Sequence, residues 1–173
     1  MTNHAMRFLV CSDSHGAKER IASLLKRNEG FADGIFFLGD GLSDILAVYT
    51  EYPSFSYFLI HGNCDSSYVC KLTGAQEEQS LTFCQKHILL THGHLFSVKH
   101  GESSLLEHAS ALRADIVLYG HTHQPCSKRF SFSEQRQLIV GNPGSIGDRF
   151  NPSFGVLTLS DSHVFFDLYD WTP

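Results

Sequence analysis

Two aspartates, an asparagine and four histidines in this chain each follow closely on a short apolar run. After Phe8–Cys11 comes Ser12-Asp13-Ser14-His15-Gly16, and after Ile35–Leu38 comes Gly39-Asp40-Gly41. After Phe58–Ile60 comes His61-Gly62-Asn63-Cys64-Asp65, and after Ile88–Leu90 comes Thr91-His92-Gly93-His94. The last cluster, Gly120-His121-Thr122-His123, follows Ile116–Tyr119. Carboxylate and carboxamide oxygens with imidazole nitrogens are hard to borderline donors. They suit Mn²⁺, Fe, Zn²⁺ or Ni²⁺ better than Ca²⁺ or an iron–sulfur cluster. Seven such donors exceed the four of a closed structural zinc site and suggest two ions sharing a carboxylate.

The elements that position these donors can be read from the same runs. Each run is too short for a helix and is bounded by turn residues, so each reads as a buried strand. Ligands of open α/β sheets gather outside the carboxyl ends of the strands, so five polar clusters at five such ends converge on one place. Between the first three strands, Ile21, Leu24, Leu25 and Asn28 lie at helical spacing with Gly30 as the stop. Leu42, Ile45, Leu46 and Tyr49 form a second helical stripe ended by Pro53. Strand-helix-strand-helix-strand requires parallel pairing with right-handed crossovers.

The second half changes character. Leu81–Cys84 and Ile88–Leu90 read as a hairpin, and Ser103 to Leu112 as a third helix burying Leu105, Ala109 and Leu112. Ile116–Tyr119, Leu138–Val140, Val156–Leu159 and Val164–Leu168 are strand-like, the last two joined by Ser-Asp-Ser-His. Phe130 and Phe132 alternate with polar residues as on a strand face. One mixed α/β domain over residues 1–173 with an antiparallel tail is the expectation.

Composition narrows the function classes. The 173 residues are 42% hydrophobic and 18% charged, which excludes disorder. Thirteen basic against eighteen acidic residues give a net charge of -5, with no basic groove signature for a nucleic-acid partner. Five cysteines without a Cys-x-x-Cys pair argue against both a disulfide framework and a thiolate zinc site. No stretch approaches a membrane span, so the expected location is the cytoplasm, with no membrane partner and with homo-oligomerisation left open.

In this order the motifs resemble the calcineurin-like metallophosphoesterases: Asp-x-His, Gly-Asp, Gly-Asn-x-[Asp/Glu], a lone histidine after a strand, then Gly-His-x-His. The likeness is to the small single-domain bacterial and archaeal phosphodiesterase branch, which also contains the eukaryotic retromer scaffold subunit. It covers nearly the whole chain, including Gly141-Asn-Pro-Gly-Ser145. It implies a four-layer α-β-β-α sandwich of two mixed sheets. It also implies one ion on Asp13, His15, Asp40 and His123, and a second on Asp40, Asn63, His92 and His121, with Asp40 bridging. The cofactors are then two divalent ions, Mn²⁺ first, with Fe, Zn²⁺, Ni²⁺ or Mg²⁺ as alternatives.

Two ions and two ligand aspartates leave a site charge of about +2, and a bridging hydroxide about +1, which attracts a phosphodiester monoanion. The expected activity is hydrolysis of a small phosphodiester by that hydroxide, with Asp40, Asn63 and His94 as catalytic residues. Many relatives carry histidine where Cys64 stands, and that histidine is thought to protonate the leaving alkoxide. A neutral thiol is a poor substitute, so esters with acidic leaving groups should be favoured, and His94 is the candidate replacement acid. Asp65 reads as a brace for the Asn63 loop, Asp44 as a first-turn helix carboxylate, His61 as a satisfied buried imidazole and Arg149 as an exposed loop residue. His4, His87, His100, His108 and His163 belong to no motif and read as surface or packing residues. A protein-binding scaffold that lost the chemistry, and a phosphomonoesterase or nuclease using the same site, are the competing functions.

Overall fold

The computed structural model describes residues 5–133, 136–161 and 163–173. In chain order the elements are β1 (Met6–Cys11), α1 (Lys18–Arg27), β2 (Gly34–Phe37), α2 (Leu42–Val48), β3 (Ser56–Leu59), α3 (Ser67–Thr73) and β4 (Glu78–Phe83). Then follow β5 (Lys86–Thr91), α4 (Ser103–Ala111), β6 (Ile116–Leu118), β7 (Cys126–Ser133), β8 (Arg136–Asn142), β9 (Ser153–Leu159) and β10 (Val164–Asp170).

Alternation along the central strands decides the layering. Phe8 and Val10 of β1 face one way and Leu9 and Cys11 the other, yet all four are buried. A strand buried on both faces needs a layer against each. One sheet runs β10-β9-β1-β2-β3, with β1, β2 and β3 parallel and the tail strands antiparallel. The other runs β4-β5-β6-β8-β7, parallel through β5, β6 and β8 and antiparallel at both edges. Between the sheets, Phe8, Val10, Phe36 and Leu38 meet Ile88, Leu90, Ile116 and Leu118. Phe8 and Phe36 stack there at 4.4 Å, and truncating either to alanine should cost about 3–5 kcal/mol. Outside the first sheet, Leu9, Ile35 and Phe37 pack on Ile21, Leu24 and Leu25 of α1 and on Leu42 and Ile45 of α2. Outside the second, Leu89, Val117 and Val140 pack on Leu105 and Ala109 of α4. This is the α-β-β-α sandwich the resemblance implied.

The elements depart from the sequence reading at three places. Helix α3 went unread because it buries nothing fully: Tyr68 and Leu72 are exposed, and Val69, Cys70 and Thr73 are half-buried. Its ends do carry signals, since Ser66 Oγ accepts from Val69 N–H and Gly74 is left-handed. The β4–β5 hairpin turns at Cys84 and Gln85, both with positive φ, so Cys84 leaves the strand. Leu112 caps α4 and is exposed rather than buried. His4, Ser162 and the side chain of Phe132 lie outside the described residues. No helix among the described residues is long and apolar enough to cross a membrane.

Parallel pairing sends the carboxyl ends of β1, β2 and β3 to one edge of the first sheet. It does the same for β5 and β6 in the second. Contacts between those two edges seat every candidate donor at one end of the sandwich.

Candidate metal centre

The loops at that end hold their side chains by an unusual backbone. Asp13, His15, Asp40, His121 and His123 all have positive φ, between 44° and 66°. Left-handed backbone costs a non-glycine residue about 1–2 kcal/mol and persists only where surrounding bonds overdetermine it. Those bonds are present. Asp13 N–H donates to Gly39 O, while Asp13 O accepts from Ser145 Oγ (2.7 Å) and Gly147 N–H (3.1 Å). The Asp65 carboxylate accepts from four backbone N–H groups, those of Asp40, Gly41, Leu42 and Gly62, at 2.8–2.9 Å. His121 N–H donates to Asp13 Oδ2 at 3.0 Å, and Asn142 Nδ2 donates to Gly120 O (2.9 Å) and Thr122 Oγ1 (3.0 Å). Two glycines permit the close approach. A Cβ at Gly62 would overlap the Asp40 carboxylate, and one at Gly39 would sit 2.8 Å from His92 Nδ1.

Six of the seven expected ligands fall into two donor trios, Asp13/His15/His123 and Asp40/His92/His121, each with its donor atoms within 4.8 Å of one another. A third trio, His15/Asp40/Cys64, spans them. His15 and Asp40 therefore approach each other, and the two groups form one mouth. The seventh, Asn63, adjoins Cys64 of the spanning trio. It is exposed, and its side-chain nitrogen donates to Cys64 Sγ at 3.3 Å.

The protons show what these donors lack. His92 Nδ1 lies 2.6 Å from Leu38 O. A carbonyl only accepts, so Nδ1 carries the hydrogen and the neutral ring presents a lone pair at Nε2. That Nε2 is buried, makes no hydrogen bond, and faces Asp40 Oδ2 at 3.4 Å. Asp13 Oδ1 is likewise buried without a hydrogen bond, with His123 Nε2 at 3.1 Å and His15 Nε2 at 3.8 Å. Lone pairs converging this closely repel unless a metal ion or a proton lies among them. The donor set therefore fits divalent ions.

Ionisation follows the same crowding. Burial works against ionisation of Asp40, but the His92 imidazole and the Cys64 backbone N–H (2.7 Å) outweigh it and hold the carboxyl far below its usual range. Burial opposes the His92 cation too, yet Asp40 and Asp13 raise its pKa. Asp13 raises that of His123. Burial, with repulsion from His92 and Lys99, pushes His121 down to about 4. Burial, with repulsion from His92 and His61, also lowers His94.

The other expected residues sort as follows. His94 is half-buried, its ring 5.3 Å from that of His92 and 6.1 Å from that of His121. Asp65 braces the Asp40 loop as well as its own. Asp44 lies in the first turn of α2 and accepts from Ser14 Oγ and Gly16 N–H. Arg149 is exposed, its guanidinium over Phe150, and His61 is half-buried rather than buried. His108 reaches Glu78 at 3.0 Å. Sequence reasoning missed the individual roles of Asn142 and Ser145, which sit within Gly141-Asn-Pro-Gly-Ser145 and tie the Gly120 and Asp13 loops.

Comparison with known proteins agrees with this geometry. A family model for the calcineurin-like phosphoesterase superfamily domain matches residues 6–163. The probable metallophosphoesterase YsnB of Bacillus subtilis (strain 168) is 32% identical over 169 residues, 95% of this chain and 91% of that protein. A conserved Streptococcus pneumoniae TIGR4 protein, a predicted phosphoesterase, superposes with a TM-score of 0.76 at 26% identity, covering 96% of this chain and 90% of that one. An archaeal phosphodiesterase shares the fold with a TM-score of 0.71 at 20% identity, covering 95% of this chain and 99% of that one. The chain belongs to the calcineurin-like phosphoesterase superfamily.

Proposed function

We propose that this superfamily member hydrolyses small phosphodiesters at a two-metal centre held by Asp13, His15, Asp40, Asn63, His92, His121 and His123. The observation that carries the reading is the junction of the two donor trios, where His15 and Asp40 bring two lone-pair-rich groups to one mouth. When bound, two divalent ions would acidify a shared water, polarise the phosphoryl oxygens and offset charge in an in-line displacement. Mn²⁺ is the first choice of ion, since oxygen and imidazole donors dominate.

The protein's own residues do the rest. Asp40, between the trios and fixed by Asp65 behind it, sets the spacing of the whole donor set. The bond to Leu38 O fixes the His92 tautomer that presents Nε2 to the centre. Asn63, exposed beside Cys64, would serve the second ion and the incoming ester. His94 carries a lowered pKa, so at neutral pH it offers a hydrogen bond rather than a proton. Cys64, pushed up to about 11 chiefly by its hydrogen bond to Asp40, is equally reluctant to release one. With no ready acid, the site favours leaving groups that depart unaided.

The test pairs metal analysis with a substrate panel. Protein prepared without chelator should retain close to two ions per chain. With Mn²⁺ it should cleave bis(p-nitrophenyl) phosphate faster than p-nitrophenyl phosphate or a 2′,3′-cyclic nucleotide. Fewer than one ion per chain with no turnover would favour the scaffold, and preference for the monoester would favour a phosphomonoesterase.

A further inference from the structure

We infer that Cys64 is itself a ligand of the centre, a sulfur donor that joins when the resident ion is zinc or cobalt. The inference rests on the two-metal reading above and adds a donor to it. Cys64 Sγ, a His15 ring nitrogen and an Asp40 oxygen lie within 4.8 Å of one another. His15 belongs also to the Asp13 trio and Asp40 to the His92 trio, so the thiol faces the junction rather than open solvent alone. It is held there, with its own backbone N–H on Asp40 Oδ1 at 2.7 Å and the Asn63 amide on the sulfur at 3.3 Å.

An independent observation says what the junction wants. Asp13 Oδ1 and His92 Nε2, on side chains with 0% exposure, flank it without hydrogen-bond partners. Both are electron-pair donors that a cation would satisfy. Sulfur differs from them in softness: thiolate binds Zn²⁺ and Co²⁺ well, whereas Mn²⁺ prefers oxygen donors. On binding zinc, the Cys64 S–H bond breaks, a sulfur–metal bond forms and the proton leaves to solvent. A manganese-loaded centre keeps the thiol. The occupying ion thus decides whether Cys64 stays a hydrogen-bonded thiol at the mouth or is drawn into the coordination shell, where it competes with the ester for the metal.

Cobalt(II) reports this directly, because sulfur ligation gives a near-ultraviolet charge-transfer band that oxygen and nitrogen ligands do not. The full chain and Cys64→Ser are loaded with Co²⁺, their spectra recorded and their metal content measured. The expected result is a band in the wild type that disappears in Cys64→Ser at equal cobalt content. Competition titrations should show Zn²⁺ affinity falling at least ~10-fold in Cys64→Ser while Mn²⁺ affinity holds within ~2-fold. Two cobalt ions per chain without the band, or a band that survives in Cys64→Ser, would overturn the role of Cys64 and leave the two-metal reading standing. Less than one cobalt per wild-type chain would overturn both.

Discussion

The Asp13 and Asp40 trios use the same residue types in different surroundings. Beside buried Asp13, the side chains of His15 and His123 are 39% and 40% exposed. In the other trio Asp40 and His92 are 3% and 0% exposed, with His121 half-buried behind them. The anchoring differs likewise. His15 has a long backbone bond to Asp40 O at 3.3 Å and a long ring contact to His123 at 3.4 Å, whereas Asp40 rests on Asp65 and His92 on Leu38. Burial lowers the local dielectric, strengthens ion–donor attraction and slows exchange. In the proposed centre, one half would hold its ion and the other would meet solvent and substrate.

Asp40 belongs to the holding half but adjoins the open one, so it gives the sharpest break. Asp40→Asn keeps the shape while removing the charge that faces both groups. Each ion of the proposed centre stabilises transition-state charge by several kcal/mol, so kcat should fall at least ~100-fold. Most of kcat retained with both ions bound would remove Asp40 from the junction.

The two halves separate through single histidines. His15→Ala should leave one ion per chain tightly held after dialysis. His121→Ala should weaken that retained ion ~10–100-fold. Equal losses measured by metal analysis would erase the distinction between an open and a closed half.

Acid sharpens it further. Ligand imidazoles must be neutral, and the raised pKa values of His92 and His123 mean protons compete with metal in each trio. Metal affinity should fall as pH drops through those raised values, by ~10-fold per pH unit for each proton taken up. His121, at about 4, should stay neutral and contribute nothing above pH ~5. Metal-free protein should show the opposite sign. A raised histidine stabilises the fold fully below the ordinary value near 6.5, and that contribution is lost as pH rises through the raised one. Above pH ~6.5 the lowered His121 and His94 are neutral whether the chain is folded or not, so melting temperatures with and without metal should diverge as pH rises from ~6.5 to 8; parallel curves would contradict the assignment.

The open and closed halves were unequally legible in the sequence. Asp13, His15, Asp40, His92, His121 and His123 could be picked out because each sits at the end of an apolar run, and parallel strands put such ends on one edge. The unbroken apolar run Phe8–Cys11 read as a buried strand, and all four side chains are buried. Nothing local says that the second sheet, rather than a helix, covers one face of that strand; that pairing is long-range, and here it came only from family resemblance. The left-handed backbone at Asp13, Asp40 and His121 was also invisible, since it is imposed by Ser145, Asp65 and Asn142 from distant segments. Burial of His92 against exposure of His15 depends on the same long-range packing.

Cys64 stands where the halves meet and offers the finest probe of which one handles the leaving group. Replacing it with histidine puts an imidazole beside His15 and Asp40, on a loop already fixed by Asp65. General acid catalysis is typically worth 10²–10⁴-fold when geometry is right, and an introduced group achieves only part of it, so Cys64→His should gain ~10-fold. The gain belongs to alkyl and cyclic nucleotide diesters, whose alkoxides need a proton. It should nearly vanish for nitrophenyl diesters, whose leaving group departs unaided. The measurement is kcat/KM on both substrate types at saturating Mn²⁺, where the wild-type thiol is expected to stay uncoordinated. Equal changes on both would indicate altered pocket shape or metal affinity. No gain on the alkoxide esters, at unchanged metal content, would assign leaving-group protonation to His94 or water, on the closed side of the junction.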